Sequence, residues 1–247
     1  MSLEYQQIFK ARGSSYDRAM QQFPEARDRE FRNLLERVNL DTISRVADIP
    51  SGGGYLQQHL PARVKIDSYE PCNEFLTHQH GSPIDLENLD LADDRYDLIV
   101  SLAAIHHVSN KARFMQRCYE SLKPGGYLCL GDVPAKHIIG RFLDNFAGRY
   151  NGTGHSGDYL IADKISSMAA VQGFSMLACE VKPCPWVFSR QQDMVDFCTG
   201  LFSLTAVGDE ELLDALDRYV GISRTPHQLS LNWELGTAVY QFAKITC

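Results

Sequence analysis

The chain of 247 residues is 44% apolar, carries a formal net charge of -7 at pH 7, and holds ordinary amounts of glycine and proline. That composition excludes a disordered or fibrous chain and leaves enough apolar surface for a substantial core. No Lys/Arg-rich block is present and no apolar run approaches the ~18 residues of a membrane span, so neither nucleic acid nor a bilayer is expected as a partner.

Residues 5–38 set apolar side chains (Ile8, Tyr16, Met20, Phe23, Phe31, Leu34, Leu35) among charged ones, which predicts one or two amphipathic helices broken near Pro24. The texture then changes. Four short apolar, β-branched runs follow, "SRVADI" (44–49), "RVKIDSY" (63–69), "YDLIVSLAA" (96–104) and "YLCLGDV" (127–133), with a shorter "PIDL" (83–86) between the second and third. Helical stretches at 54–60, 72–78 and 111–122 separate them, and strands alternating with helices predict right-handed βαβ units around a parallel sheet. "LKPGGYL" (122–128) reads as a helix stop and turn. Beyond residue 133 the alternation lapses into a helix (137–150) and the loop "NGTGHSGDYL" (151–160). It resumes with a helix (162–172), a strand (175–182), a mostly helical stretch (191–220) and a last strand (236–245). The seven cysteines are scattered without a C-x-x-C pair, as in a reduced cytoplasmic protein, and the polar residues 1–10 do not read as a signal peptide.

The stretch "VADIPSGGGYL" (46–56) delivers a strand into a glycine-rich loop, the place where doubly wound sheets bind ligands. A dinucleotide fingerprint counted from Gly52 and Gly54 needs a third glycine where Gln57 stands, and no G-K-[ST] follows for a phosphate loop. Asp48, at the strand end, would repel a pyrophosphate but suits an ammonium group. Glu70 ends the next strand about 20 residues on, the offset at which a carboxylate reaches a ribose diol. Asp67, the competing acid, lies within that strand. Asp85, at the end of "PIDL", is placed to accept from an adenine amino group. A ligand with an ammonium, a ribose and an adenine but no phosphate is S-adenosyl-L-methionine (SAM).

These motifs resemble those of the class I (Rossmann-like) SAM-dependent methyltransferases. "VADIPSGGG" is similar to the family's glycine loop with Pro50 where the first glycine is usual. "DSYEP" resembles its ribose motif, "IDLENLDLADDRYDLIVSLAAIHHV" its adenine acid, fourth strand and following loop, and "LKPGGYLCLGD" its fifth strand. The resemblance covers residues 44–133 well and the flanks loosely. It implies an α/β, doubly wound, seven-stranded, mostly parallel sheet with an antiparallel last strand, helices on both faces and an N-terminal helical lid. One domain is expected: lid 1–43, cofactor core 44–133, substrate-lid insertions 134–165 and 189–230, last strand 236–245. The implied cofactor contacts are Asp48, Ile49, Pro50, Gly52, Gly54, Glu70, Pro71, Asp85, Leu86, Ser101 and Leu102, with Tyr16 from the lid segment that also holds Arg27.

Methyl transfer from a sulfonium is an in-line displacement, so positioning does most of the work and a base is needed only if the acceptor loses a proton. His106 and His107, just beyond the fourth strand, and His155 in the insertion loop are the candidate proton acceptors; cofactor packing and loop exposure are their competing roles. Asn145, Tyr150, Trp186 and Phe188 come from regions expected to line the substrate pocket, with core packing the alternative for the last two. His78 and His80 lack a third ligand nearby, so no metal is expected, and Asp90, Asp93 and Asp94 read as a solvated turn. The expected function is methylation of a small molecule, with a homodimer compatible. The alternatives are another use of the same cofactor, such as its own cyclisation, and a non-catalytic SAM-binding regulatory subunit.

Overall fold

The computed structural model describes residues 5–76 and 81–242. His78, His80 and the end of the last predicted strand lie outside them. Two helices open the described chain, α1 (Tyr5–Gln22) and α2 (Asp28–Leu35), on either side of Pro24. Then come β1 (Arg45–Asp48), a 3-10 turn (Tyr55–His59), β2 (Lys65–Glu70), α3 (Asn73–Leu76), β3 (Gly81–Pro83), β4 (Tyr96–Leu102), a second 3-10 turn (Ile105–His107), α4 (Lys111–Ser121) and β5 (Leu122–Asp132). The insertion runs as α5 (Ile138–Arg141), a π-helical stretch (Phe142–Ala147) and α6 (Gly148–Tyr150). The remainder is α7 (Ala162–Gln172), β6 (Phe174–Pro183), β7 (Trp186–Phe188), α8 (Gln191–Phe202), α9 (Asp209–Tyr219), β8 (Ile222–Arg224), β9 (Leu229–Leu231) and β10 (Glu234–Phe242).

Seven strands form one sheet in the order β3-β2-β1-β4-β5-β10-β6. The β1–β2, β1–β4, β2–β3 and β4–β5 pairs are parallel, while β10 runs antiparallel to both β5 and β6. The apolar runs are continuous because these strands are covered on both faces: Val46, Ala47, Leu98, Ile99, Val100, Leu128 and Leu130 are fully buried. Winding reverses between β1 and β4, which puts the switch point at the carboxyl end of β1.

Several expectations are corrected in detail. The helix expected at 54–60 is a 3-10 turn, and the third strand is Gly81–Pro83, so Asp85 lies beyond it, its Oδ1 accepting the Glu87 amide at 2.9 Å. "LKPGG" is an irregular start to β5: Leu122 pairs with Tyr96, the register shifts, and pairing resumes at Tyr127, with Gly125 at φ +84°. The helix expected at 137–150 contains the π stretch. A second, three-stranded antiparallel sheet, β7-β9-β8, was not expected at all. It carries Trp186, whose ring stacks on Trp233 at 4.2 Å between centroids and meets Phe197 edge-on at 5.3 Å.

Candidate active site

The loop after β1 turns tightly because Gly52 and Gly54 adopt φ of +52° and +81°, which β-carbons disfavour. It is tied to β2 through one carboxyl. Glu70, fully buried, accepts the Gly52 amide on Oε2 at 2.8 Å and the Cys72 amide on Oε1 at 2.9 Å, and the Tyr5 hydroxyl of α1 reaches Oε2 at 3.4 Å. Burial nevertheless pushes Glu70 up to about 7. Asp48 is buried at the tip of β1 and pairs with no cation among the described residues; burial, then the neighbouring Glu70, raise it well above the carboxylate range. Two carboxyls are thus held out of water with little to neutralise them, an arrangement that a cationic, hydroxyl-bearing ligand would relieve.

One cavity extends from this loop. Asp48, Pro50, Gly52, Tyr16, Leu102, His106, His107 and His155 all border it. A separate hollow beside it is lined by Pro71, Asp85 and Leu86, and Tyr5 and His107 border both. Ile49 and Ser101 are buried behind the loop, with Ser101 Oγ lacking a hydrogen-bond partner. Tyr16 accepts from Arg27, which is itself paired with Glu30. Trp186 borders the cavity while its Nε1 donates to Glu30 at 2.6 Å. Asn145 and Tyr150 do not border it: Asn145 is exposed, and the Tyr150 hydroxyl donates to Glu211. Phe188 is buried and packs against Phe197, away from the cavity lining.

The histidines come together from two places. β4 ends in a kink at Ala103 (φ +56°), and the 3-10 turn after it presents His106 and His107 with ring centroids 4.0 Å apart. The loop that follows α6 brings His155 to 5.5 Å from His106. The Asp158 amide donates to the His106 carbonyl at 3.0 Å and so fastens loop to turn. Two carboxylates stand behind the rings. Asp132, at the tip of β5 and fully buried, accepts His106 Nδ1–H at 2.7 Å and the His106 amide at 2.9 Å. Asp144, on the π stretch, accepts His155 Nδ1–H at 2.8 Å and the Tyr159 hydroxyl at 2.6 Å. A carboxylate only accepts, so each Nδ1 carries the hydrogen, and Nε2 is the nitrogen left to turn elsewhere. Burial pushes His155 down despite Asp144, and burial, His106, His155 and Arg12 hold His107 well below the histidine range.

Arg12 completes this end. It is buried on α1, its guanidinium donates to Thr153 and Gly154 of the His155 loop, and its Nε has no partner. No carboxylate pairs with it among the described residues, and burial brings it down to about 10. Sequence reasoning missed Arg12, Tyr5, Asp132 and Asp144. Only Asp132, a carboxylate at a predicted strand tip, carried a readable signal.

Comparison with known proteins bears on the family and the fold. A family profile described as a methyltransferase domain matches residues 16–178. Trans-aconitate 2-methyltransferase of Mycobacterium tuberculosis is 30% identical over 115 residues, 44% of each chain. Ubiquinone biosynthesis O-methyltransferase of a Methylobacterium species is 31% identical over 93 residues, 33% of this chain and 37% of the relative. The matches thus span less than half the length of these curated relatives. Among solved structures, a SAM-dependent methyltransferase from Thermotoga maritima shares the fold at a TM-score of 0.60 and 16% identity, over 96% of this chain and 99% of the other. The [4+2]-cyclase SpnF shares it at 0.55 and 18%, over 87% and 80%.

Proposed function

The chain belongs to the methyltransferase-domain family, and from that membership we propose that it transfers a methyl group from SAM to a small molecule bearing an anionic group. The observation that carries this reading is one cavity bordered both by Asp48, a buried carboxyl with no cation partner among the described residues, and by the histidine trio with Arg12, which no carboxylate neutralises among them. SAM, when bound, supplies a methyl on a positively charged sulfur, and the carbon–sulfur bond breaks toward sulfur as the bond to the acceptor forms.

The residues present fit that cofactor. Asp48 would hold its ammonium group, Glu70 its ribose hydroxyls, and Asp85 beside Leu86 and Pro71 its adenine amino group, with Pro50, Gly52, Leu102 and Tyr16 bordering the cavity and Ile49, Gly54 and Ser101 supporting the loop from outside its lining. The raised Asp48 and Glu70 carboxyls ionise more readily once a cation and hydroxyl donors replace their dry surroundings. Arg12, whose charge no carboxylate neutralises among the described residues, would attract the acceptor's anionic group into the cavity that the histidines also border, where an O–H or N–H acceptor would give up its proton. Substrate size is limited by α1, α8 and the insertion, which wall the cavity. Support for a small acceptor also comes from relatives named for trans-aconitate and ubiquinone biosynthesis. Among the described residues no helix is long and apolar enough to cross a membrane.

The test is incubation with methyl-labelled SAM and pools of carboxylate- and phosphate-bearing metabolites, with products read by mass. One product should gain the labelled methyl, and Arg12→Gln should raise the concentration of that acceptor needed for half-maximal rate. Label released equally without any metabolite would overturn the reading in favour of cofactor consumption alone.

A further inference from the structure

We propose that His106, His107 and His155 form a binding site for a divalent transition-metal ion, with Asp132 and Asp144 as its outer carboxylates and its cavity side open. One ring nitrogen from each histidine lies within 4.8 Å of the others. Three imidazoles around an ion at 2.0–2.1 Å stand about 3.4 Å apart in a tetrahedral site, so small side-chain rotations close the set. Three ring nitrogens this close with no hydrogen bond between the rings, among the described residues, gain nothing from one another; a cation shared by all three is what such a set can bind.

The support behind the rings is independent of their spacing. Metal-bound histidines characteristically give their other nitrogen to a carboxylate, which fixes ring orientation and raises donor strength. His106 and His155 both do so, to Asp132 and Asp144. Asp132 is the sharper case: it is fully buried, and its only side-chain partner among the described residues is His106. A 2+ ion beyond the two rings offsets both carboxylates. Arg12 opposes a cation and therefore favours an anionic ligand in the open position. All three histidines border the same cavity as Asp48, so that position faces the proposed acceptor. That last role rests on the proposed methyl transfer; the ion site itself does not.

All-imidazole donation suits zinc, cobalt or nickel, and hard oxygen-seeking magnesium and calcium poorly. The full chain, stripped with a chelator and dialysed against Zn²⁺, should retain one equivalent by elemental analysis, and Mg²⁺ in excess should not displace it. Co²⁺ in its place should give the strong visible bands of a four-coordinate nitrogen site, a reading that needs no variant. His155→Ala should lose the equivalent, Asp144→Asn should weaken it by about 10–100-fold, and His227→Ala, at an exposed turn remote from the cluster, should keep it. A cobalt spectrum like that of the hydrated ion, or zinc retained in full by both His106→Ala and His155→Ala, overturns the proposal. SAM titration of the same stripped protein separates the two claims. Cofactor binding without zinc binding sinks the metal site alone, and zinc binding without cofactor binding sinks the functional reading alone.

Discussion

Glu70 Oε2 accepts the Gly52 amide hydrogen at 2.8 Å, so the tip of β2 and the glycine loop meet on one buried carboxyl. Burial holds that carboxyl at about 7, although the Cys72 and Gly52 amides and the Tyr5 hydroxyl favour its anion. A folded-state value above the unfolded one means the native chain binds the extra proton. Stability from this group therefore falls as pH rises from the ordinary carboxylate range through about 7. Cofactor binding has the opposite sign, because a ribose diol donates to the ionised form. SAM affinity should rise as pH climbs from the ordinary carboxylate range through about 7, by up to about tenfold per unit, where the Glu70 share of the rise is complete. Glu70→Gln should flatten that rise. Calorimetry across pH checks it, and a flat wild-type profile would count against Glu70 as the ribose ligand.

Asp48 is raised by burial and then by Glu70, so in the free protein its carboxyl is a strained resident of the site. Asp48→Asn keeps the shape and removes the charge. Its melting temperature should match or exceed that of the wild type, while SAM binding weakens by about 1.5–3 kcal/mol, roughly ten- to hundredfold. Retained affinity would remove Asp48 from the ammonium site.

Tyr5 stands between the two hollows with its hydroxyl on the carboxyl assigned to the ribose. Its ring must withdraw before one ligand can span both. Tyr5→Ala should therefore speed SAM association by roughly tenfold, the worth of one hydrogen bond of about 1.4 kcal/mol. Stopped-flow fluorescence of the tryptophans near the cavity would follow it. An unchanged or slower rate would show that the ring is no barrier.

Arg27 and Glu30 are 5% and 2% exposed, and Glu30 also accepts Trp186 Nε1. The Glu30 carboxylate thus neutralises a buried guanidinium and anchors the small sheet to α2. Glu30→Ala leaves that charge unpaired and should cost about 3–5 kcal/mol in urea unfolding. A loss below about 1 kcal/mol would mean that Arg27 finds water or another anion.

Local pattern and long-range pairing explain what the sequence revealed. Ala162–Gln172 was legible at its true bounds because an amphipathic run ends on Gly173, which takes φ +96° as a helix stop. The β1 loop, Glu70 and the histidine turn were legible because adjacent residues define them. The small sheet was not: strands of three residues, such as Leu229–Leu231, are too short to display alternation. Nor were the pairings of the carboxylates with the histidines: Asp132 sits at a legible strand tip but meets His106 across 26 residues, and Asp144 meets His155 only through a π stretch. Arg12 looked like any charge on an amphipathic helix until folding buried it without an anion. His78 and His80 lie outside the described residues.

The most direct measurement is a calorimetric titration of the unmodified protein with SAM and, separately, with NAD. A carboxyl waiting for an ammonium above the first strand predicts one SAM bound per chain and no heat from the dinucleotide. A dinucleotide bound at that loop, or no binding of SAM at all, would contradict the account at its root.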